Sequence, residues 1–288
     1  MRAILLGTAA GGGYPQWNCA CRMCAAGHPA RTQDCLAVSA DDQNWFLVNA
    51  SPDIRAQILA TPELRAGPGP RDTPLRGALL TDAELDHTLG LTMLREGAGL
   101  TIHAPPAVLT ALRDDFPLRG IVSRYGAWDF EPVGVEVGGL RVTAIPISDK
   151  RPKYVESEVD GPWVVAYRFE CPTGTLVYAP CLAAWPDAFD EAVAGATAVI
   201  LDGTFYSPDE MSDATRHGVA GGAQRAMGHL PIAGPDGTLA RVAKQPNTRW
   251  LYTHLNNTNP IIDPASPEHA ELQSAGAEAP PDGTTLNI

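Results

Sequence analysis

Four ionisable side chains stand within six consecutive positions of the chain, at Asp82, Glu84, Asp86 and His87. The three carboxylates alternate along the sequence, so an extended loop would aim them in the same direction. Like charges gathered in one pocket repel each other strongly unless a cation lies between them. The spacing therefore indicates a metal-binding loop, and the alternative is a solvated acidic loop in which Asp86 caps the helix that follows.

A second group with metal-binding chemistry is a Cys-x-Cys-x2-Cys cluster, formed by Cys19, Cys21 and Cys24. Thiolates this close in sequence can share one tetrahedral zinc ion, whereas a disulfide between such near neighbours would be strained. The alternative is three incidental thiols. A structural zinc ion needs a fourth ligand, and His28, four residues after Cys24, can supply it locally.

The elements on either side of the acidic stretch would present it at the end of a buried strand. The apolar run at 78–80 predicts that strand. Apolar residues near helical spacing, from Leu89 to Leu94, predict a helix after it that ends at Gly97.

Two later strands also end at residues with chemical potential. The apolar segment at 198–201 leads into Asp202, and the segment at 250–253 leads into His254. Both read as buried strands bounded by polar turns. Earlier in the chain, Ser51 is the predicted N-cap of a helix with Pro52 at its first position.

Composition limits the classes of protein to consider. The 288 residues are 44% hydrophobic and 19% charged, as in soluble globular proteins, and no apolar run approaches the roughly 18 residues that span a membrane. The formal net charge of −12 and the pI of 4.9 repel phosphate backbones, so nucleic acid is not an expected partner. The apolar stretch near the N-terminus has about four residues, against the roughly 7–15 of a signal peptide, which indicates a cytoplasmic protein. Six cysteines in a chain of this length do not form a disulfide framework, and in a reducing cytosol the clustered ones are expected to bind metal.

The acidic stretch resembles the His-x-His-x-Asp-His motif of the metallo-β-lactamase superfamily. Asp82 and Glu84 occupy the two leading His positions, and Asp86 and His87 are retained. This resemblance implies an α/β fold, namely an αββα sandwich of two mixed sheets flanked by helices. It also implies one metallo-β-lactamase-like domain over residues 1–288.

Two flanking segments carry the resemblance further. The Gly-rich segment at 7–19, GTAAGGGYPQWNC, and the segment at 254–260, HLNNTNP, are similar to those of a family of pyrroloquinoline quinone biosynthesis proteins within the superfamily. A related phosphodiesterase completes a three-Cys cluster with a His that this sequence replaces by Asn257. The fourth ligand of the cluster is therefore either His28 or Asn257.

The resemblance also implies which residues bind the active-site metal. Dinuclear members of the superfamily carry a His near Ser148 and a bridging Asp near Pro180, and this sequence has neither there. Asp86, His87 and His254 remain as the ligands of a single ion. Two imidazoles and one carboxylate are the set used by non-haem Fe(II) oxygenases, because it leaves positions open for O2 and substrate.

Other residues are assigned to the same site by the resemblance. Asp82 and Glu84 would accept hydrogen bonds, transfer protons or contact the substrate beside the ion. His229 would place an imidazole near the substrate, or else satisfy carbonyls at a helix C-terminus. The pocket would also include three positions at strand ends and in loops, which are Asp53, Ser148 and Asp202.

The function implied is iron-dependent hydroxylation of a tyrosine-derived peptide or amino acid in the synthesis of pyrroloquinoline quinone or a similar cofactor. It would use Fe(II) and O2 at the active site and zinc in the cysteine cluster. The alternatives are a carrier of the quinone or its precursor, and a zinc hydrolase, which a single ion disfavours.

No membrane or nucleic-acid partner is expected, and a homodimer is the assembly considered. The segment Pro180-Cys181-Leu182 and the loop at 148–161 depart from the family pattern and face the expected pocket, so a paralogue with another substrate is an option.

Overall fold

The computed structural model describes residues 1–211 and 226–288, and within these ranges fourteen strands form two seven-stranded sheets. In spatial order the first sheet contains β14 (Thr284–Asn287), β1 (Arg2–Gly7), β2 (Cys35–Ser39), β3 (Trp45–Val48), β4 (Leu75–Leu79), β5 (Thr101–Ala104) and β6 (Asp129–Pro132). The second contains β13 (Ala277–Glu278), β12 (Arg249–Thr253), β11 (Ala198–Asp202), β10 (Gly174–Ala179), β9 (Val164–Cys171), β8 (Leu140–Ser148) and β7 (Glu136–Val137).

Each sheet joins an antiparallel half to a parallel half. In the first, β14, β1, β2 and β3 pair antiparallel, whereas β3 to β6 pair parallel. In the second, β13 to β10 pair parallel, whereas β10 to β7 pair antiparallel. The predicted αββα sandwich of two mixed sheets is confirmed.

The helices with described bounds are short. They are α1 (Arg22–Ala25), α2 (Ile54–Ala60), α3 (Leu85–Thr88), α4 (Pro106–Asp114), α5 (Leu118–Val122), α6 (Asp187–Val193), α7 (Leu239–Val242) and α8 (Pro267–Ser274), with 3₁₀ helices at Pro62–Leu64, Leu89–Thr92 and Pro260–Ile262. Among the described residues, no helix has both the length and the apolar character that crossing a bilayer requires.

Strand β1 shows why the strands read as continuous apolar runs. Ala3 and Leu5 pack between the two sheets, whereas Ile4 and Leu6 pack against the outer helices. A strand buried on both faces has no polar side, so period-two alternation is lost. The polar residues that end such strands therefore stand out, and they are the ones that form the site.

The strands predicted before Asp82, Asp202 and His254 are present as β4, β11 and β12. The helix predicted to run on to Gly97 is instead α3 followed by a 3₁₀ turn. Gly90 causes the break, since its amide donates to the carbonyl of Ala50 at 2.9 Å. A Cβ at Gly90 would lie 2.1 Å from a backbone oxygen of the same segment, so only glycine permits this approach.

Candidate metal centre

The loop after β4 fixes His87 through the buried carboxylate of Asp82. This carboxylate accepts hydrogen bonds from the hydroxyl of Thr81 at 2.7 Å and from the amide of Glu84 at 2.9 Å. Nδ1 of His87 lies 2.8 Å from Oδ2 of Asp82, so Nδ1 carries the proton and donates it. Nε2 is then the ring atom available for a metal ion.

Nε2 of His87 is fully buried, and no residue in the described part of the chain gives it a hydrogen-bond partner. A buried polar atom without a partner is unfavourable, and metal coordination would satisfy it. The ring of His254 lies opposite, with centroids 5.3 Å apart. Oδ2 of Asp86 lies 3.4 Å from Nε2 of His254, and all three side chains line one cavity. These donors are of the types that bind a metal ion through nitrogen and oxygen, although the three ligand atoms are not all within 4.8 Å of one another.

His254 is held in a conformation that few side chains adopt. Its φ of 57° lies in the left-handed region, where non-glycine residues are uncommon and which often marks a functional site. The hydroxyl of Thr204 donates to Asp202 at 2.6 Å and lies 2.8 Å from Nδ1 of His254. Because that hydroxyl proton is already used, Nδ1 of His254 donates to Thr204. Nε2 of His254, which lies 3.4 Å from Oδ2 of Asp86, is therefore the ring nitrogen that faces the candidate metal position.

His229 is oriented in the same way by Asp202. Its Nδ1 lies 2.7 Å from Oδ2 of Asp202, and its ring stacks on His254 at 5.3 Å. Asp202 also accepts hydrogen bonds from the amides of Leu182 and Thr204, so both of its oxygens are occupied. Although Asp202, His229 and His254 are close enough to hold an ion, these bonds make Asp202 an orienting residue. It lies behind His229, while His229 itself lines the cavity.

Cys181 is a potential metal ligand that the sequence analysis did not predict. A ligand atom from each of His87, Cys181 and His254 lies within 4.8 Å of the other two. Cys181 follows the end of β10 directly after Pro180, and its side chain is buried but lines the cavity. The sequence feature that could have pointed to Cys181 is the departure of the segment Pro180-Cys181-Leu182 from the family pattern.

The charges of the site act on one another. Burial favours a neutral His87, but the carboxylates of Asp82 and Asp86 overcome it and raise the pKa of His87 to about 10. Burial would also raise the pKa of both carboxyls, yet the neighbouring His87 keeps them below the ordinary value. A metal ion that binds Nε2 therefore competes with a proton, and its affinity rises with pH.

Asp34 is a further buried carboxyl that the sequence did not indicate. It accepts hydrogen bonds from the hydroxyl of Thr253 at 2.5 Å and from that of Tyr178. Burial raises the pKa of Asp34. The residue precedes β2 in the first sheet and joins it to β10 and β12 in the second. It thus braces the strand that delivers His254.

A cavity of about 850 Å³ opens onto the candidate ligands, a volume typical of small-molecule sites. The loop at 148–161 forms one wall. Nζ of Lys150 donates to Glu84 at 3.1 Å, and the hydroxyl of Tyr154 donates to the carbonyl of Ala83 at 2.6 Å. Lys153 lines the same wall, so an acidic protein places two of its three lysines here.

All three predicted pocket residues, Asp53, Ser148 and Asp202, lie outside the cavity lining. Ser148 is the last residue of β8, and its buried hydroxyl has no partner among the described residues. Asp53, not Ser51, is the N-cap residue of α2, which begins at Ile54. Its carboxylate accepts hydrogen bonds from the backbone and side-chain amides of Gln33 at 2.9 and 3.1 Å. Asp53 therefore positions Gln33, which does line the cavity.

The three thiols of Cys19, Cys21 and Cys24 converge within 4.8 Å of one another. Nδ2 of Asn257 lies 3.2, 3.8 and 3.3 Å from their respective sulfurs. His28 instead faces a carboxylate outside the cluster. Of the two candidates for the fourth ligand, only Asn257 faces the thiols. A half-turn of its amide group exchanges Nδ2 for Oδ1, which can bind zinc.

The thiols of Cys21 and Cys24 differ in how readily they ionise. Burial opposes ionisation of Cys21, but hydrogen bonds from the amide of Cys24 and from the neighbouring thiols lower the pKa of Cys21. Burial raises the pKa of Cys24. Cys21 is thus more ready than Cys24 to bind a metal as a thiolate.

The Gly-rich loop joins the cysteine cluster to the candidate metal centre. The amide of Ala10 donates to the carbonyl of Leu255, and the amide of Leu255 donates to the carbonyl of Thr8, each at 2.9 Å. A Cβ at Gly11 would lie 3.0 Å from Oδ2 of Asp86. The loop therefore packs directly on a predicted metal ligand.

The two mixed sheets, with Asp and His side chains at the strand ends, define a metallo-β-lactamase fold. Residues 44–255 match the family model described as Beta-lactamase superfamily domain. The chain therefore belongs to this superfamily, as the acidic motif predicted.

Relatives with substantial sequence identity define a narrower family within this superfamily. The chain is 40% identical over 308 residues to the Coenzyme PQQ synthesis protein B of Pseudomonas aeruginosa (strain UCBPP-PA14), with both chains fully covered. It is 38% identical over 313 residues to the protein of the same name from Azoarcus sp. (strain BH72), again with full coverage. The crystal structure of Zn²⁺-bound PqqB from Methylobacterium extorquens is 34% identical, covers both chains fully and superposes with a TM-score of 0.88. The chain is a member of the PqqB family.

Proposed function

We propose that the chain is an iron-dependent hydroxylase that acts on a tyrosine-derived amino acid or short peptide in the synthesis of pyrroloquinoline quinone. The observation that carries the proposal is the buried Nε2 of His87, which lies opposite His254 and has no hydrogen-bond partner in the described part of the chain. Asp86 beside them completes two imidazoles and one carboxylate, the ligand set of non-haem Fe(II) oxygenases. The relatives named Coenzyme PQQ synthesis protein B support a role in the synthesis of pyrroloquinoline quinone.

Hydrogen bonding supports one metal ion rather than two. Asp82 and Glu84 stand where the superfamily has two ligating His residues. The first is occupied by His87 and Thr81, and the second pairs with Lys150. Pro180 has no ligating side chain at the position of the bridging Asp. Without two ions there is no bridging hydroxide, so a hydrolase of the usual type is disfavoured.

Iron held by Asp86, His87 and His254 would supply activation of O2 at its open positions. The residues of the chain supply the rest of the site. Asp82 orients His87 and increases its basicity, which is the role that its contacts favour over direct proton transfer. His229, held by Asp202, is placed to exchange a proton with the substrate at Nε2.

The substrate would occupy the cavity beside these ligands. Its volume accommodates an amino acid or dipeptide, and Lys150, Lys153 and Tyr154 offer cationic and hydroxyl groups at its wall. Glu84, paired with Lys150, is a candidate substrate contact. We further propose a cytoplasmic location, because the thiols of the cysteine cluster bind zinc only when they are reduced.

The test is O2 uptake by protein reconstituted with Fe(II), using tyrosine-containing dipeptides as substrates and ascorbate as the two-electron reductant that converts the second oxygen atom to water, and analysing the products for added oxygen. We expect uptake that requires iron and is lost in His254→Ala. The matched control is His269→Ala, since His269 bonds the carbonyl of Ile261 outside the site. The same protein loaded with zinc should be inactive.

Two outcomes would favour the other functions. Iron-loaded protein that binds the quinone or its precursor tightly, without turnover, would identify a carrier. Two equivalents of active-site metal, in addition to the ion of the cysteine cluster, would identify a dinuclear hydrolase. Uptake of O2 that is unchanged in His254→Ala would exclude the ligand set proposed here.

A further inference from the structure

We propose that Cys181 is a fourth protein ligand of the active-site metal ion and binds it through its sulfur atom. The inference concerns the same metal position as the proposed function, but it does not depend on the reaction being a hydroxylation. It changes the expected ligand set from nitrogen and oxygen to nitrogen, oxygen and sulfur.

The ligand atoms of Cys181 and the two histidines are close enough to share one ion. The ligand atoms of His87, Cys181 and His254 all lie within 4.8 Å of one another. Metal–nitrogen and metal–sulfur bonds of about 2.0 to 2.3 Å place the donors of one ion roughly 3 to 4 Å apart. Small side-chain movements therefore bring all three atoms onto a single ion. No change of backbone is needed.

The surroundings of the Cys181 sulfur differ from those of an ordinary core thiol. Among the described residues, no hydrogen bond joins the sulfur of Cys181 to another group. Cys35 is also buried, but its sulfur lies 3.2 Å from the carbonyl of Asn49. Cys35 therefore behaves as an ordinary core thiol, whereas the sulfur of Cys181 faces the cavity that the two histidines line.

The backbone around Cys181 is held in place by hydrogen bonds. The amide of Leu182 donates to the carboxylate of Asp202 at 2.7 Å, and the carbonyl of Leu182 accepts from the amide of Leu230 at 2.8 Å. Pro180 precedes the cysteine and restricts the chain on its other side. A rigid backbone favours metal binding, because it holds the ligand atom close to the position that the ion requires. On binding, the thiol proton leaves to solvent and the thiolate joins the metal.

The test uses Co(II) as the probe of the open site. Protein is isolated with zinc in the cysteine cluster, stripped mildly with a chelator and titrated with Co(II). A thiolate ligand produces a charge-transfer absorption in the near ultraviolet, which nitrogen and oxygen ligands do not. We expect one such band per chain, its loss in Cys181→Ser, and Co(II) affinity at least about tenfold lower in that variant.

Three controls assign the band. Cys171→Ser, at a partly buried thiol beside the N-terminal amine, should leave both band and affinity unchanged. His254→Ala should weaken the band together with the affinity, because the band belongs to the active site. Cys181→Ala should reproduce Cys181→Ser, and far-ultraviolet circular dichroism checks that both variants are folded.

The outcomes separate this inference from the proposed hydroxylation. A band and affinity that persist in Cys181→Ser would overturn the assignment of Cys181, even if iron-dependent turnover were found. A band that persists in both Cys181→Ser and His254→Ala would come from the cysteine cluster and would equally overturn it. Loss of the band in Cys181→Ser, in protein that never consumes O2, would establish the ligand and reject the hydroxylase.

Discussion

Asp82 and His87 are joined by a 2.8 Å hydrogen bond between Oδ2 and Nδ1, and both side chains are buried. We expect Asp82→Asn to lower the affinity of the active site for metal by about 10- to 100-fold, since the amide orients the ring less firmly and removes the charge that increases its basicity. Zinc competition with a chromophoric chelator measures this. Glu84→Gln is the control, because Glu84 bonds Lys150 rather than a histidine. Equal affinities in the two variants would contradict the orienting role of Asp82.

The contact between Gly11 and Asp86 gives a second prediction. Gly11→Ala would place a methyl group 3.0 Å from Oδ2 of Asp86 and displace that carboxylate. We expect about tenfold weaker binding of active-site metal, with the cysteine cluster keeping its zinc. Gly120→Ala, where a Cβ meets no atom within 4 Å, should leave metal binding unchanged. A Gly11→Ala protein with normal affinity would mean that the loop yields instead of the ligand.

The cysteine cluster gives a third prediction, which chooses between the two candidates for its fourth ligand. Asn257→Ala should release zinc from the cluster at a lower chelator concentration than the parent protein, and it should lower the melting temperature, because a structural zinc stabilises the folded state. His28→Ala should do neither, since His28 faces a carboxylate outside the cluster. Zinc analysis after stepwise chelation distinguishes the two variants, and the opposite ranking would restore His28 as the ligand.

Glu210 gives a prediction on stability and pH. It is buried, and it accepts hydrogen bonds from the hydroxyl of Thr258 and the amide of Tyr206, each at 2.6 Å. Burial raises the pKa of Glu210 from 4.5 to about 7. A raised pKa favours the protonated form in the folded state, so its stabilisation is complete below pH 4.5 and is lost as the pH rises through 7.

Glu210→Gln removes this ionisation. Between pH 5 and pH 8 we expect the free energy of unfolding of the variant to improve relative to the parent protein by on the order of 3 kcal/mol. Urea denaturation at both pH values measures the difference. Glu158→Gln, at an exposed position, should show no such trend. A trend of the opposite sign would mean that Glu210 is ionised in the folded protein.

The sequence revealed those parts of the site where polarity changes abruptly along the chain. Asp82 and His254 each follow a strand buried on both faces, so they stand out against apolar neighbours. Asp34 and Cys181 could not be recognised in this way. A lone acid before a strand reads as a turn, and a lone cysteine after one reads as core. Their roles depend on contacts with residues far away in sequence.

The same reason explains the error in the helix after His87. Its apolar spacing is helical, but Gly90 gives its amide to Ala50, forty residues earlier. Local periodicity carries no information about such a partner. The sequence also could not predict that His87, His229 and His254 all use Nδ1 for orientation. Asp202 contacts His229 and Thr204 contacts His254 across 27 and 50 residues of sequence, and no local pattern encodes such contacts.

The contacts between the cysteines and Asn257 can form only late in the synthesis of the chain. Cys21 and Asn257 are 236 residues apart, so at about 5 to 20 residues per second the ribosome needs roughly 10 to 50 s to make the stretch between them. Throughout that interval the three thiols have left the ribosome's active centre without the amide that faces them in the folded protein. The cluster therefore reaches its final form only after β12 has been made and the segment that follows it has packed against the N-terminal part of the chain.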